Sequence, residues 1–186
     1  MPPGSWPYQL VKSNALKVRI VQRNMNSNMD PVKIPEHILE AVYLEARKSF
    51  PSECCGWLIG DKNGSSAISL RRCANDQSSG NHPTKPDRSA ETAYVFSSED
   101  VMALNTSLDS ENPALIIYHS HPNGQAYLSD TDKEVATSPW GDGPAYPVQQ
   151  LVVGIDRSCV VEAALFTWDE SENRFMEIAR FGGKEI

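Results

Sequence analysis

A chain of 186 residues, 40% apolar and 22% charged, is long enough to bury the core of one compact domain, and its composition excludes a disordered chain or a coiled coil. Its net charge of −7, from 17 basic and 24 acidic residues, argues against a broad nucleic-acid surface, and no apolar run approaches the roughly eighteen residues of a membrane span. The four cysteines, Cys54, Cys55, Cys73 and Cys159, include no C-x-x-C pair, so neither a zinc ribbon nor a thioredoxin-type centre is expected. Residues 1–30 read as an appendage. Leu16, Val18 and Ile20 alternate with Lys17 and Arg19 as in an added edge strand, between flanks that resemble linker. Met25 and Met29 are candidate starts, and without a basic head and an apolar h-region the expected compartment is the cytoplasm.

Residues 31–186 are expected to form the domain proper. Over 35–50, Ile38, Leu39, Ala41, Val42 and Ala46 recur at helical spacing, with Glu36, Glu40, Glu45, Arg47 and Lys48 on the opposite side. A hairpin follows, with strands at 57–60 and 67–73 around the turn Asp61-Lys62-Asn63-Gly64. The polar stretch 75–92 is long enough to be a functional loop. Residues 93–96 read as a strand, and Ser97, with Asp100 three residues on, caps a helix running to about Leu108. A buried strand at 114–118 precedes a short helix that begins near Ser129 and stops before Pro139, then a Pro- and Gly-rich loop at 138–147. Strands at 150–155, 159–167 and 174–180 complete a mixed α/β (α+β) class, a mainly antiparallel sheet flanked by helices.

The chemistry concentrates in Tyr118-His119-Ser120-His121-Pro122 and Ser129-Asp130-Thr131-Asp132. Side chains alternate along a strand, so His119 and His121 point to one face, and Asp132 in the first turn of the next helix can turn back towards them. Two imidazoles and one carboxylate, with a fourth position open, suit a catalytic zinc ion, which lowers the pKa of bound water to about 7. The pattern H-S-H-P-x6-S-x-x-D resembles the JAMM motif of the MPN+ metalloproteases, and Glu53-Cys54-Cys55-Gly56 matches that family's upstream E-x-C-G.

The resemblance implies a single MPN/JAMM domain of cytidine-deaminase-like fold over residues 31–186. It also implies one catalytic Zn2+ held by His119, His121 and Asp132, Glu53 as general base towards the attacking water, and Ser129 as a donor to the oxyanion. Read without the family, Glu53 is a plain carboxylate after a helix, and Ser129 is only an N-cap. Asp130 fits a helix-start charge, Ser120 a backbone anchor, and His37 and His82 surface positions. At most one of Cys54 and Cys55 faces the site, and packing is the expected role of both.

Among JAMM groups the chain looks most like the prokaryotic enzymes, which cut after the Gly-Gly terminus of ubiquitin-like β-grasp proteins, sulfur carriers included. The implied partner is such a carrier, with no nucleic acid and no membrane. Alternatives are a zinc amidase acting on a small molecule and a non-catalytic MPN binding module, the latter disfavoured by the intact Glu53. Residues 133–149 hold neither Cys nor His, so a second zinc is not expected. The loops 75–92 and 138–147 are candidate walls for an extended tail, two glycines of which could pass close to a metal.

Overall fold

The computed structural model of the protein describes residues 30–79 and 89–186. The expected edge strand at 16–21 and His82 lie outside them. The elements follow in the order α1 (Glu36–Ser49), β1 (Cys55–Gly60), β2 (Ala67–Cys73), a 3-10 turn (Asp76–Ser79), α2 (Ser98–Leu108), β3 (Ala114–His121), α3 (Asp130–Ala136), β4 (Gln149–Ile155), β5 (Val160–Asp169) and β6 (Arg174–Lys184). The strands form one six-stranded sheet in the order β2-β1-β3-β4-β5-β6, antiparallel except for the β3·β4 pair. Strand β3 is buried along its whole length, as its unbroken apolar run Ala114 to Tyr118 requires of a central strand covered on both faces.

Helix α1 packs Ile38, Val42 and Ala46 against one face of the sheet, where Leu58, Ile116, Leu151 and Leu165 form the main core. Its acidic start at Glu36 and basic end at Arg47 and Lys48 complement the helix dipole. Glu45, expected on the solvent side, is instead buried. The Tyr118 hydroxyl donates to its carboxylate at 2.6 Å and Arg72 pairs with it at 3.3 Å, which offsets the cost of desolvating the charge. Burial still pushes the Glu45 carboxyl above its ordinary range. Gly56 follows from the same contact. A Cβ there would lie 2.5 Å from the Tyr118 hydroxyl oxygen and 2.2 Å from the Arg71 carbonyl, so no larger residue fits.

The opposite face carries two smaller clusters, one of Trp57, Leu104 and Ile117 beneath α2, the other of Val152, Ala164, Phe166 and Trp168 beneath Ala126 and Leu128. His119 and His121 continue the side of β3 that Ile117 occupies, between these clusters. The expected strand at 93–96 does not form. Val95 is held by the Asn75 side chain (Val95 N–H to Oδ1, 3.2 Å) and by the Asp76 N–H (to Val95 O, 3.0 Å), with no strand alongside among the described residues to build a ladder. The last two strands run longer than their apolar alternation suggests, and β6 extends to Lys184.

Candidate metal centre

Strand β3 presents His119 and His121 on one face, and the following chain turns sharply through Gly124, whose φ of +80° lies in the left-handed region that glycine enters without strain. Helix α3 then begins with a reciprocal capping box. The Ser129 hydroxyl accepts from Asp132 N–H at 3.2 Å, and Asp132 Oδ2 accepts from Ser129 N–H at 2.7 Å. This cap turns the Asp132 carboxylate back towards β3. Its Oδ2 lies 3.4 Å from His119 Nε2 and 3.2 Å from His121 Nε2, and the two Nε2 atoms are 3.1 Å apart.

Among the described residues these three buried side chains form a group able to hold a metal ion. Zinc bonds of about 2.0–2.2 Å to nitrogen and oxygen put tetrahedral ligands about 3.3 Å apart, and the observed triangle has that size. The electrostatics agree with a cation. Burial alone would disfavour ionised Asp132, but His119 and hydrogen bonds from His119, His121 and Ser129 outweigh it and hold its carboxyl far below the usual range. Burial pushes His121 below its ordinary value, while for His119 the carboxylates of Asp132 and Glu53 overcome burial and raise it.

Packing orients the rings. Tyr94 stacks on His119 with centroids 4.7 Å apart and planes 24° from parallel, and Tyr127 meets His121 edge-on at 5.0 Å. The buried His119 Nδ1 has no hydrogen-bond partner among the described residues, so the stack on Tyr94 does the orienting that a second hydrogen bond does at many metal sites. Neither tyrosine stands out in the sequence; both need the tertiary fold to reach their histidines.

Glu53 is buried in the segment before β1. Its neighbour Cys54 exchanges bonds with the residue between the two histidines, Cys54 N–H donating to Ser120 Oγ at 2.9 Å and Ser120 N–H to the Cys54 carbonyl at 3.1 Å. Ser120 is thus the backbone anchor expected of it. Glu53, His121 and Ser129 share the lining of a cavity of about 390 Å³ with Glu91, Thr92, Asn123 and Tyr127. Residues 91 and 92 end the expected 75–92 wall. The loop 138–147 supplies none of this lining.

The remaining candidates fall elsewhere. Asp130 is exposed and pairs with Lys133 at 3.2 Å, and His37 is exposed on α1. Cys54 packs in the α1 core, whereas Cys55 stands opposite His119 in the sheet; burial pushes both thiols up, Cys54 to about 12. Two buried neutral thiols fit packing rather than ligation.

Residues 35–170 match the family described as prokaryotic homologs of the JAB domain. Over 103 residues the chain is 29% identical to the CysO-cysteine peptidases of Mycobacterium bovis and Mycobacterium tuberculosis, a match covering 55% of this chain and 63% of theirs. The matched region is therefore under two thirds of the length of those relatives. Two solution structures share the fold. A Desulfitobacterium hafniense protein aligns with a TM-score of 0.52 at 20% identity over 79% of this chain and 89% of its own. A Salinibacter ruber protein gives 0.51 at 19% identity, over 78% and 87%.

Proposed function

The chain belongs to the prokaryotic JAB-domain family, and from that premise we propose that it is a zinc-dependent peptidase that hydrolyses the amide bond after the Gly-Gly terminus of a ubiquitin-like β-grasp protein, such as a sulfur carrier. The observation that carries the reading is the triangle of His119 Nε2, His121 Nε2 and Asp132 Oδ2, with Glu53 and Ser129 on the cavity beside it. Zinc held by the triangle supplies Lewis-acid activation of water near neutral pH. Glu53 takes the proton released in the attack and returns it to the leaving amine, a task suited to a carboxylate lining the cavity beside the metal triangle. The Ser129 hydroxyl accepts from its helix and keeps its own proton to donate towards the developing oxyanion.

The substrate class is supported by the relatives named CysO-cysteine peptidase. An extended Gly-Gly tail would enter the cavity that Glu91, Thr92, Asn123 and Tyr127 help to line, since glycines bring backbone close to the proposed ligands without side-chain clash. The domain reading of 1–30 as appendage and 31–186 as catalytic unit belongs to the same proposal. It is tested by incubating the zinc-loaded protein with a β-grasp carrier bearing a short extension after Gly-Gly and weighing the products. A carrier ending in free Gly-Gly, formed with zinc and not after chelation, is the expected result. An intact carrier, with small-molecule amides cut instead, would move the assignment to an amidase.

A further inference from the structure

The β1·β2 ladder ends at the pair Cys55 and Cys73, and Glu53 lies two residues beyond it. Continuing the same register would set residue 75 opposite residue 53, but the chain turns away there into the 3-10 turn at Asp76–Ser79. The Asn75 side chain bridges the opening. Its Nδ2 donates to the Glu53 carbonyl at 3.1 Å and to the Ala93 carbonyl at 3.0 Å, and its Oδ1 accepts from the N–H groups of Gln77 at 3.1 Å and Val95 at 3.2 Å. Two donors and two lone pairs are thereby engaged, the full ordinary capacity of a primary amide. The Glu53 N–H is tied to the same segment, donating to the Ala90 carbonyl at 2.7 Å. That segment carries Tyr94, which stacks on His119.

We propose that Asn75 is a positioning residue for the hydrolysis: its amide replaces the main-chain ladder where the ladder stops, and fixes Glu53 relative to His119. The inference rests on the reading of Glu53 as general base. No other short side chain makes the same set of bonds. Aspartate keeps the two acceptor bonds but cannot donate to the Glu53 and Ala93 carbonyls, and serine has a single donor.

The test compares Asn75→Asp and Asn75→Ala with the parent for zinc content, kcat and KM on the Gly-Gly-extended carrier, and amide hydrogen exchange. Displacing a catalytic group by about 1 Å costs about 100-fold, so kcat is expected to fall roughly 100-fold and KM to change by less than about threefold, with one zinc retained. The Glu53 and Val95 amides should exchange at least about tenfold faster, while the Cys54 amide on Ser120 keeps its protection. In a Glu53→Gln background the Asn75 changes should add almost nothing, because one residue acts through the other. Asn75→Asp, nearly isosteric, carries the test if Asn75→Ala fails to fold. Unchanged kcat in Asn75→Asp, loss of zinc in step with activity, or full additivity with Glu53→Gln overturns the positioning role alone. Undiminished hydrolysis by the single variant Glu53→Gln overturns the general-base reading and the role of Asn75 with it.

Discussion

His119, His121 and Asp132 stand on a central strand and a capped helix, whereas Glu53 stands just outside the sheet, tied to its surroundings by backbone bonds and one asparagine amide. The proposed ligand half draws its rigidity from regular structure. Strand β3 is paired on both sides, and the capping box that starts α3 is the same contact that aims Asp132. Among the described residues, the proposed base half lies past the end of the β1·β2 ladder and takes its geometry from Asn75, from residues 90–95 and from the Cys54–Ser120 exchange. A metal site tolerates little variation in ligand spacing, so its placement on regular elements is physically apt.

Breaking the ligand half should have the largest effect. Asp132→Ala removes a proposed ligand and the capping-box acceptor together, and is expected to abolish stoichiometric zinc and lower hydrolysis by more than about 1,000-fold, read by metal analysis and product mass. Tyr94→Leu should be milder. Loss of the ring stacked on His119 is expected to weaken zinc binding about tenfold, measured by competition with a chelating dye. Unchanged affinity would mean that His119 needs no such support.

The other side of β3 sharpens the contrast. Tyr118 points away from the His119–His121–Asp132 group and satisfies the buried Glu45, so Tyr118→Phe should cost about 1–3 kcal/mol in denaturant unfolding and leave kcat within about twofold. The smallest effect concerns the clamp on the turn between the ligands. Glu162 accepts from Ala126 N–H at 2.9 Å and pairs with Arg180 at 2.6 Å, and these contacts lower its carboxyl below the ordinary value. A carboxylate lowered on folding contributes stability above its unfolded pKa, about 4.3, and loses it as pH falls through the folded value. The melting temperature of the parent should therefore exceed that of Glu162→Gln at pH 7, with the gap closing below about pH 4.

The same division governs what is legible in the sequence. His119, His121, Ser129 and Asp132 follow local rules, period two along a strand and a three-residue cap, so the shared face of the histidines and the place of Asp132 in a first turn are legible in residue order, and their convergence in the family resemblance. Glu53 is legible only through family resemblance, because nothing local links residue 53 to residue 119. Asn75, Tyr94 and Tyr127 leave no such local trace, since they reach their partners through tertiary packing. The burial of Glu45 escapes the sequence for a related reason: a helical wheel reports polarity, while the hydroxyl that makes the burial tolerable lies 73 residues away. The stretch 93–96 has strand-like residues, but Val95 finds a side chain where a strand would need a neighbouring strand.

The most direct test of the account is the single variant Glu53→Gln, assayed for bound zinc and for cleavage of the Gly-Gly-extended carrier in the same preparation. One zinc per chain is expected, as in the parent, with hydrolysis reduced about 100- to 10,000-fold, the range for loss of a general acid-base group. Cleavage at the parental rate, or zinc lost together with activity, would contradict it.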